Sequence, residues 1–136
     1  MSLEAIKAVV RRFNDEVIAR GDRASFDALM QPDFVNRSAP AGAPNGPENM
    51  WNTFANVLRP ALDNLVVTIH DQVAESDKVT TRKTITGIHV GTLLGVEATG
   101  RTVTIEVIDI VRIANGRYAE HWGLNTLAAT LAQLKN

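Results

Sequence analysis

The chain has 136 residues, room for one domain built on one core. It is 45% hydrophobic and only 5% aromatic, so the core should be largely aliphatic, and the net charge is −1 with no long run of either sign. That balance excludes nucleic acid and an anionic membrane as principal partners, since both are held by clustered Lys and Arg, and the lack of cysteine excludes disulfides, thiolate nucleophiles and cysteine metal sites.

The opening "MSLEAIKAVVRRF" has charges breaking every apolar run, which suits neither a signal peptide nor a membrane span. A cytoplasmic protein is the simplest expectation. Residues 3 to 20 place Leu3, Ile6, Val9, Val10, Phe13, Val17 and Ile18 at three- and four-residue steps, which predicts an amphipathic helix. Ser2 is its expected N-cap and Gly21 its stop. "RASFDALM" predicts a short second helix ended by Pro32. The stretch "PDFVNRSAPAGAPNGP" holds four prolines and two glycines and is expected to be a long irregular connection, the kind that rims a pocket. Pro47 then opens a third helix through "ENMWNTFANVL", expected to stop at Pro60.

From Leu65 the period changes from helical to two. "NLVVTIHDQV", "KVTTRKTITGIHVG", "RTVTIEVIDIVRI" and "GRYAEHWG" read as four strands. A short helix, "TLAATLAQL", comes after them, capped by Asn125 or Thr126. Helices first and an antiparallel meander second predict a single α+β domain over residues 1–136, with helices packed on one face of a curved sheet.

The strand from Arg101 to Ile113 separates two faces. Val103, Ile105, Val107, Asp109, Val111 and Ile113 share one, and Thr104, Glu106, Ile108, Ile110 and Arg112 share the other. The first is apolar except for Asp109, so it should face the helices. A lone carboxylate there costs several kcal/mol, roughly, unless it is paired or its pKa moves. Asp109 is therefore either a functional acid or an acceptor for backbone N–H groups.

The turn "ANGR" permits two registers. A two-residue type I′ turn sets Trp122 opposite Asp109 and turns Glu120 inward. A type I turn with Gly116 in a bulge sets His121 opposite Asp109, with Ala119 and Gly123 on the same face. The second buries fewer charges and is the expected one. It yields an Asp109–His121 pair suited to proton transfer near neutral pH, or else a core histidine satisfied by the same aspartate. His89 lies in "TGIHVG", where flanking glycines would let the backbone approach a ligand. Three histidines on separate strands do not predict a metal site. Trp51 and Trp122 read as packing residues rather than cofactor platforms.

The pieces "PDFVN" (32–36), "GIHVGTLLG" (87–95), "EATGRTV" (97–103), "IDIVRIANGR" (108–117), "AEHW" (119–122) and "LAQL" together resemble the SnoaL-like polyketide cyclases, relatives of ketosteroid isomerase within the nuclear-transport-factor-2-like superfamily. The resemblance implies a cone-like α+β barrel with a deep apolar pocket, a homodimer formed through the outer sheet face, and cofactor-free acid/base chemistry on a hydrophobic carbonyl compound. It implies a pocket role for Asn36. It sets Asp109 where the cyclase has a pocket histidine, and Gly123 where the cyclase has its catalytic aspartate. The expected site is thus Asp109 and His121 for proton transfer, with Asn36, His89, Trp51 and Gly123 against the substrate. Catalysis shifted to Asp109, and a non-catalytic ligand-binding or accessory protein of the same fold, both agree with a glycine at 123.

Overall fold

The computed structural model describes residues 1–136. Helix α1 (Leu3–Arg12) is capped by Ser2, whose hydroxyl accepts from the Ala5 N–H at 3.0 Å. It continues in wider π-helical turns over Phe13–Ala19. Gly21, at φ +69°, then adopts the left-handed conformation that ends it. Most of the apolar stripe read from the sequence is buried, at Ile6, Val10, Phe13, Val17 and Ile18, while Val9 is half-buried and Leu3 is exposed.

Helix α2 (Arg23–Leu29) starts on Asp22, which accepts from the Ala24 and Ser25 N–H groups. It stops before Pro32, because Met30 already takes extended geometry. Here the expectation of an irregular connection needs correcting. Residues Met30–Asn36 form strand β1, and the loop begins only beyond Asn36. Pro32 hid the strand. It falls between Met30 and Val35, where the register shifts and a missing N–H is tolerated.

Helix α3 (Pro47–Asn52) begins at Pro47, as expected. It runs through a π-helical stretch, Thr53–Leu58, into α4 (Arg59–Ala61), so Pro60 lies inside the last turn rather than ending the helix.

Four long strands complete the sheet: β2 (Leu62–Glu75), β3 (Lys78–His89), β4 (Thr102–Ala114) and β5 (Arg117–Asn125). The sheet order is β1-β5-β4-β3-β2, with β1 parallel to β5 and the other neighbours antiparallel. Helix α5 (Leu127–Leu134) comes after β5. Asn125 supplies its start, accepting from the Leu127 N–H, while the Thr126 hydroxyl accepts from the Glu106 N–H instead.

The β4–β5 hairpin combines features of both expected registers. Asn115 and Gly116 have φ values of +52° and +73°, the pattern of a type I′ turn. Ala114 faces Arg117 and Ile113 faces Tyr118, but Arg112 faces Glu120, so Ala119 is an extra residue in a bulge. That one residue reverses the facing of everything after it. Glu120 turns outward and His121 inward. The residue opposite Asp109 is Gly123, while His121 stands opposite Val111.

Helices and sheet enclose one core of mostly aliphatic side chains. Phe13 sits at its aromatic centre, stacked on Tyr118 with centroids 4.2 Å apart and edge-on to Phe54 at 6.1 Å. Both contacts tie the first helix to the hairpin and to the third helix, and so set the depth of the space between them.

Candidate functional site

On β4, the face read as apolar is buried at Val103, Ile105, Val111 and Ile113, and Asp109 is buried among them at 5% exposure. Its carboxylate Oδ2 is 3.3 Å from His121 Nε2 and 3.4 Å from Lys83 Nζ, while Oδ1 is buried without a partner. On the far side of the imidazole, Nδ1 lies 3.0 Å from Asn36 Oδ1. That amide oxygen also accepts from the Ser38 N–H at 3.1 Å. Lys83 Nζ donates to Asn14 Oδ1 at 2.6 Å. The outcome is a chain of polar groups, Asn36–His121–Asp109–Lys83–Asn14, drawn from β1, β5, β4, β3 and the first helix, buried from Asp109 to Asn14 and half-buried at His121 and Asn36.

The electrostatics of this chain are a contest. Burial pushes the Asp109 carboxyl up, but the Lys83 ammonium, then the His121 hydrogen bond, outweigh it and hold the group below its ordinary 3.8. Burial, helped by the Asp109 charge, pushes the Tyr118 phenol well above 10. Asp109 is thus a carboxylate at neutral pH and Tyr118 is neutral.

A cavity of about 250 Å³ opens onto these groups. Its polar lining includes Asn36, Ser38, Thr53, Lys83, Asp109, His121 and Asn125, with Gly123 among them, and its apolar lining is Met50, Phe54, Leu58, Ile85, Ile105, Val107 and Leu127. Gly123 has a direct steric reason. A Cβ there would lie 2.8 Å from His121 Cε1 and 3.1 Å from Nε2, so the ring occupies the space that a side chain would need. The Gly123 N–H donates to Ser38 Oγ at 2.7 Å, which ties the loop after β1 to the cavity rim.

Asn36, Asp109, His121 and Gly123 therefore converge as a group. Trp51 and His89 do not join them. Trp51 packs against Phe26, with ring centroids 5.2 Å apart, and under the Arg23 guanidinium. His89 is fully buried, and its Nδ1 accepts from the Thr99 N–H at 3.2 Å, pinning the loop after β3. The glycines beside it mark close approach of the chain to itself rather than to a ligand. A Cβ on Gly91 would meet the Pro60 carbonyl at 2.6 Å, and one on Gly87 would meet Leu62 at 2.8 Å. Glu120, the alternative inward acid, pairs on the outer side with Arg112 at 2.5 Å and Arg37 at 2.7 Å.

Lys83 and Asn14 escaped the sequence reading, though the signal was present. Val79, Thr81, Lys83 and Ile85 alternate onto the buried face of β3, and Asn14 falls within the apolar stripe of the first helix. A polar group on each stripe was as informative as Asp109.

The family model for SnoaL-like polyketide cyclases matches residues 8–134. Among solved structures, TsrD from Streptomyces laurentii is similar at 28% identity and a TM-score of 0.86, covering 98% of this chain and 97% of that one. AclR from Streptomyces galilaeus, a proposed hydroxylase, is similar at 25% identity and TM-score 0.85, with 98% and 83% covered. IdmH from Streptomyces antibioticus, a proposed polyketide cyclase, is similar at 26% identity and TM-score 0.78, with 96% and 99% covered. A comparison with curated proteins finds no match.

Proposed function

Because this chain belongs to the SnoaL-like polyketide cyclase family, we propose that it performs cofactor-free general acid/base chemistry, such as aldol ring closure or isomerisation, on a hydrophobic carbonyl compound. The observation that carries this reading is the Asn36–His121–Asp109 chain lining the cavity. Asp109, ionised and lining the cavity, takes a proton from a carbon next to a carbonyl. The carbonyl oxygen becomes an enolate oxygen, and the Asn36 NH₂ group, whose own oxygen is engaged by Ser38 and His121, donates to it. In ring closure the carbanion adds to a second carbonyl, and the alkoxide so formed recovers the proton through the Asp109–His121 pair. The apolar walls suit the carbon skeleton of such a compound. Exposed Ile108, Ile110 and Leu124 on the outer sheet face support a homodimer.

Asp109→Asn tests the assignment. A positioned base contributes about 100- to 10,000-fold, so turnover of a polyketide ester with a carbon acid between two carbonyls should fall by that factor. Undiminished turnover in a folded variant would overturn the role of Asp109. A glycine at 123, where the resemblance sets the family's catalytic aspartate, favours ligand binding without chemistry as the second reading. That reading prevails if the unaltered protein binds such esters and leaves them unconverted.

A further inference from the structure

The proton transfer described above gives no part to Lys83, the one buried lysine of the sheet. It is 5% exposed, on the same face of β3 as Val79, Thr81 and Ile85. Burying an ammonium is expensive unless its protons are used. Asn14, itself 2% exposed, meets that demand. Its NH₂ donates to the Val10 carbonyl at 2.9 Å, which orients the amide so that Oδ1 receives Lys83 at 2.6 Å. The clamp holds Nζ 3.4 Å from Asp109.

The other groups around Asp109 offer no equivalent. His121 reaches it from β5 and donates to both Asn36 Oδ1 and Asp109 Oδ2 only as the imidazolium, so its help depends on a proton that the ring can lose. Tyr118, also on β5, is neutral. The third helix and its extension contribute Met50, Thr53, Phe54 and Leu58 to the cavity, none of which ionises. A carboxyl this deeply buried favours its neutral form when left to desolvation, and a protonated Asp109 has no capacity to accept a proton from substrate.

We propose that Lys83, clamped by Asn14, is a positioning residue: its ammonium keeps Asp109 a carboxylate, and so keeps the base usable at neutral pH. Its catalytic meaning rests on the acid/base reading above, whereas the charge coupling itself does not. The balance of effects on Asp109 agrees, since burial raises the carboxyl and the lysine is the largest influence opposing it.

The test is a carbon-13 NMR titration of the Asp109 carboxyl in the full chain without substrate. Lys83→Met should raise the midpoint by about one to three pH units, the usual effect of a neighbouring opposite charge. Lys83→Arg should leave it low. Asn14→Leu, which keeps the lysine but removes its clamp, should raise it by a smaller step. An unmoved midpoint in folded Lys83→Met overturns the proposal; if that variant does not fold, an unmoved midpoint in Asn14→Leu does so. Where turnover is measurable, the acid limb of kcat/KM should shift with the midpoint in Lys83→Met. A lower rate with an unshifted limb would mean that Lys83 serves packing alone. Because the titration needs no substrate, it separates failure of this coupling from failure of the catalytic reading.

Discussion

A methyl group at position 123 would lie 2.8 Å from the His121 ring, and that ring is held from both sides by Asn36 and Asp109. The collision can be relieved only by moving the imidazole off its partners or shifting β5. Gly123→Ala should therefore cost about 1–3 kcal/mol, as overpacking does, read as a lower urea midpoint. In a His121→Ala background the ring is gone, so the same substitution should cost much less. Equal cost in both backgrounds would show that the glycine answers to something other than the ring. Placing an aspartate at 123 meets the same obstacle, so a carboxylate at the position where the resemblance implies one competes with this His121 rotamer for space. At this scale the place of Asp109 on the buried face of β4 was legible, because an isolated polar residue on an apolar stripe is visible from periodicity alone, whereas the inward turn of His121 depended on the hairpin register. It was a poor guide to Trp51 and His89, because their neighbours, Phe26 and Thr99, come from contacts that no local pattern encodes.

Elements were legible to different degrees for physical reasons. Helical stripes and strand alternation showed where α1 and the strands β2 to β5 lie. Asn115-Gly116 announced a hairpin. The Ala119 bulge carried no signal, since alanine is unremarkable in either ladder position, yet it decides which of Glu120 and His121 enters the cavity. Strand β1 was masked by Pro32 and by its pairing with a strand some eighty residues later. The hairpin itself yields a prediction. Gly116 has φ +73°, a conformation that costs an L-residue with a Cβ about 1–2 kcal/mol. Gly116→Val should lower stability by roughly that amount in chemical denaturation. An unchanged midpoint would mean that the turn can rearrange to another type, and with it the facing of His121.

Across the whole molecule, five carboxyls are held below their ordinary values by partners that exist only in the folded chain. Glu16 is held by the Ser25 hydroxyl and Arg12, Asp22 by Ser25, Glu48 by Arg23, Glu120 by Arg112 and Arg37, and Asp109 by Lys83 against the opposing effect of burial. A group depressed in the folded state adds stability that is complete above its unfolded value. That stability is lost as pH falls through the folded value. With ordinary values of 3.8 and 4.5, the thermal midpoint should hold level above about pH 5 and decline below it. A midpoint that rises on acidification would contradict the sign. Lys83→Met should flatten the Asp109 share of that decline.

The sheet order carries one more consequence, for how the chain reaches this state. Strand β5 lies between β1 and β4, although both precede it in the chain. Until residues 117–125 are available, those two strands present unpaired edges to each other across an empty slot. Any copy in which β1 and β4 form before β5 docks has two open edges and an uncovered core. Such edges recruit strands from other chains. Expression at low temperature, or with a chaperone that shields strand edges, should raise the soluble yield. The strand that completes the cavity is also the one that ends this exposure.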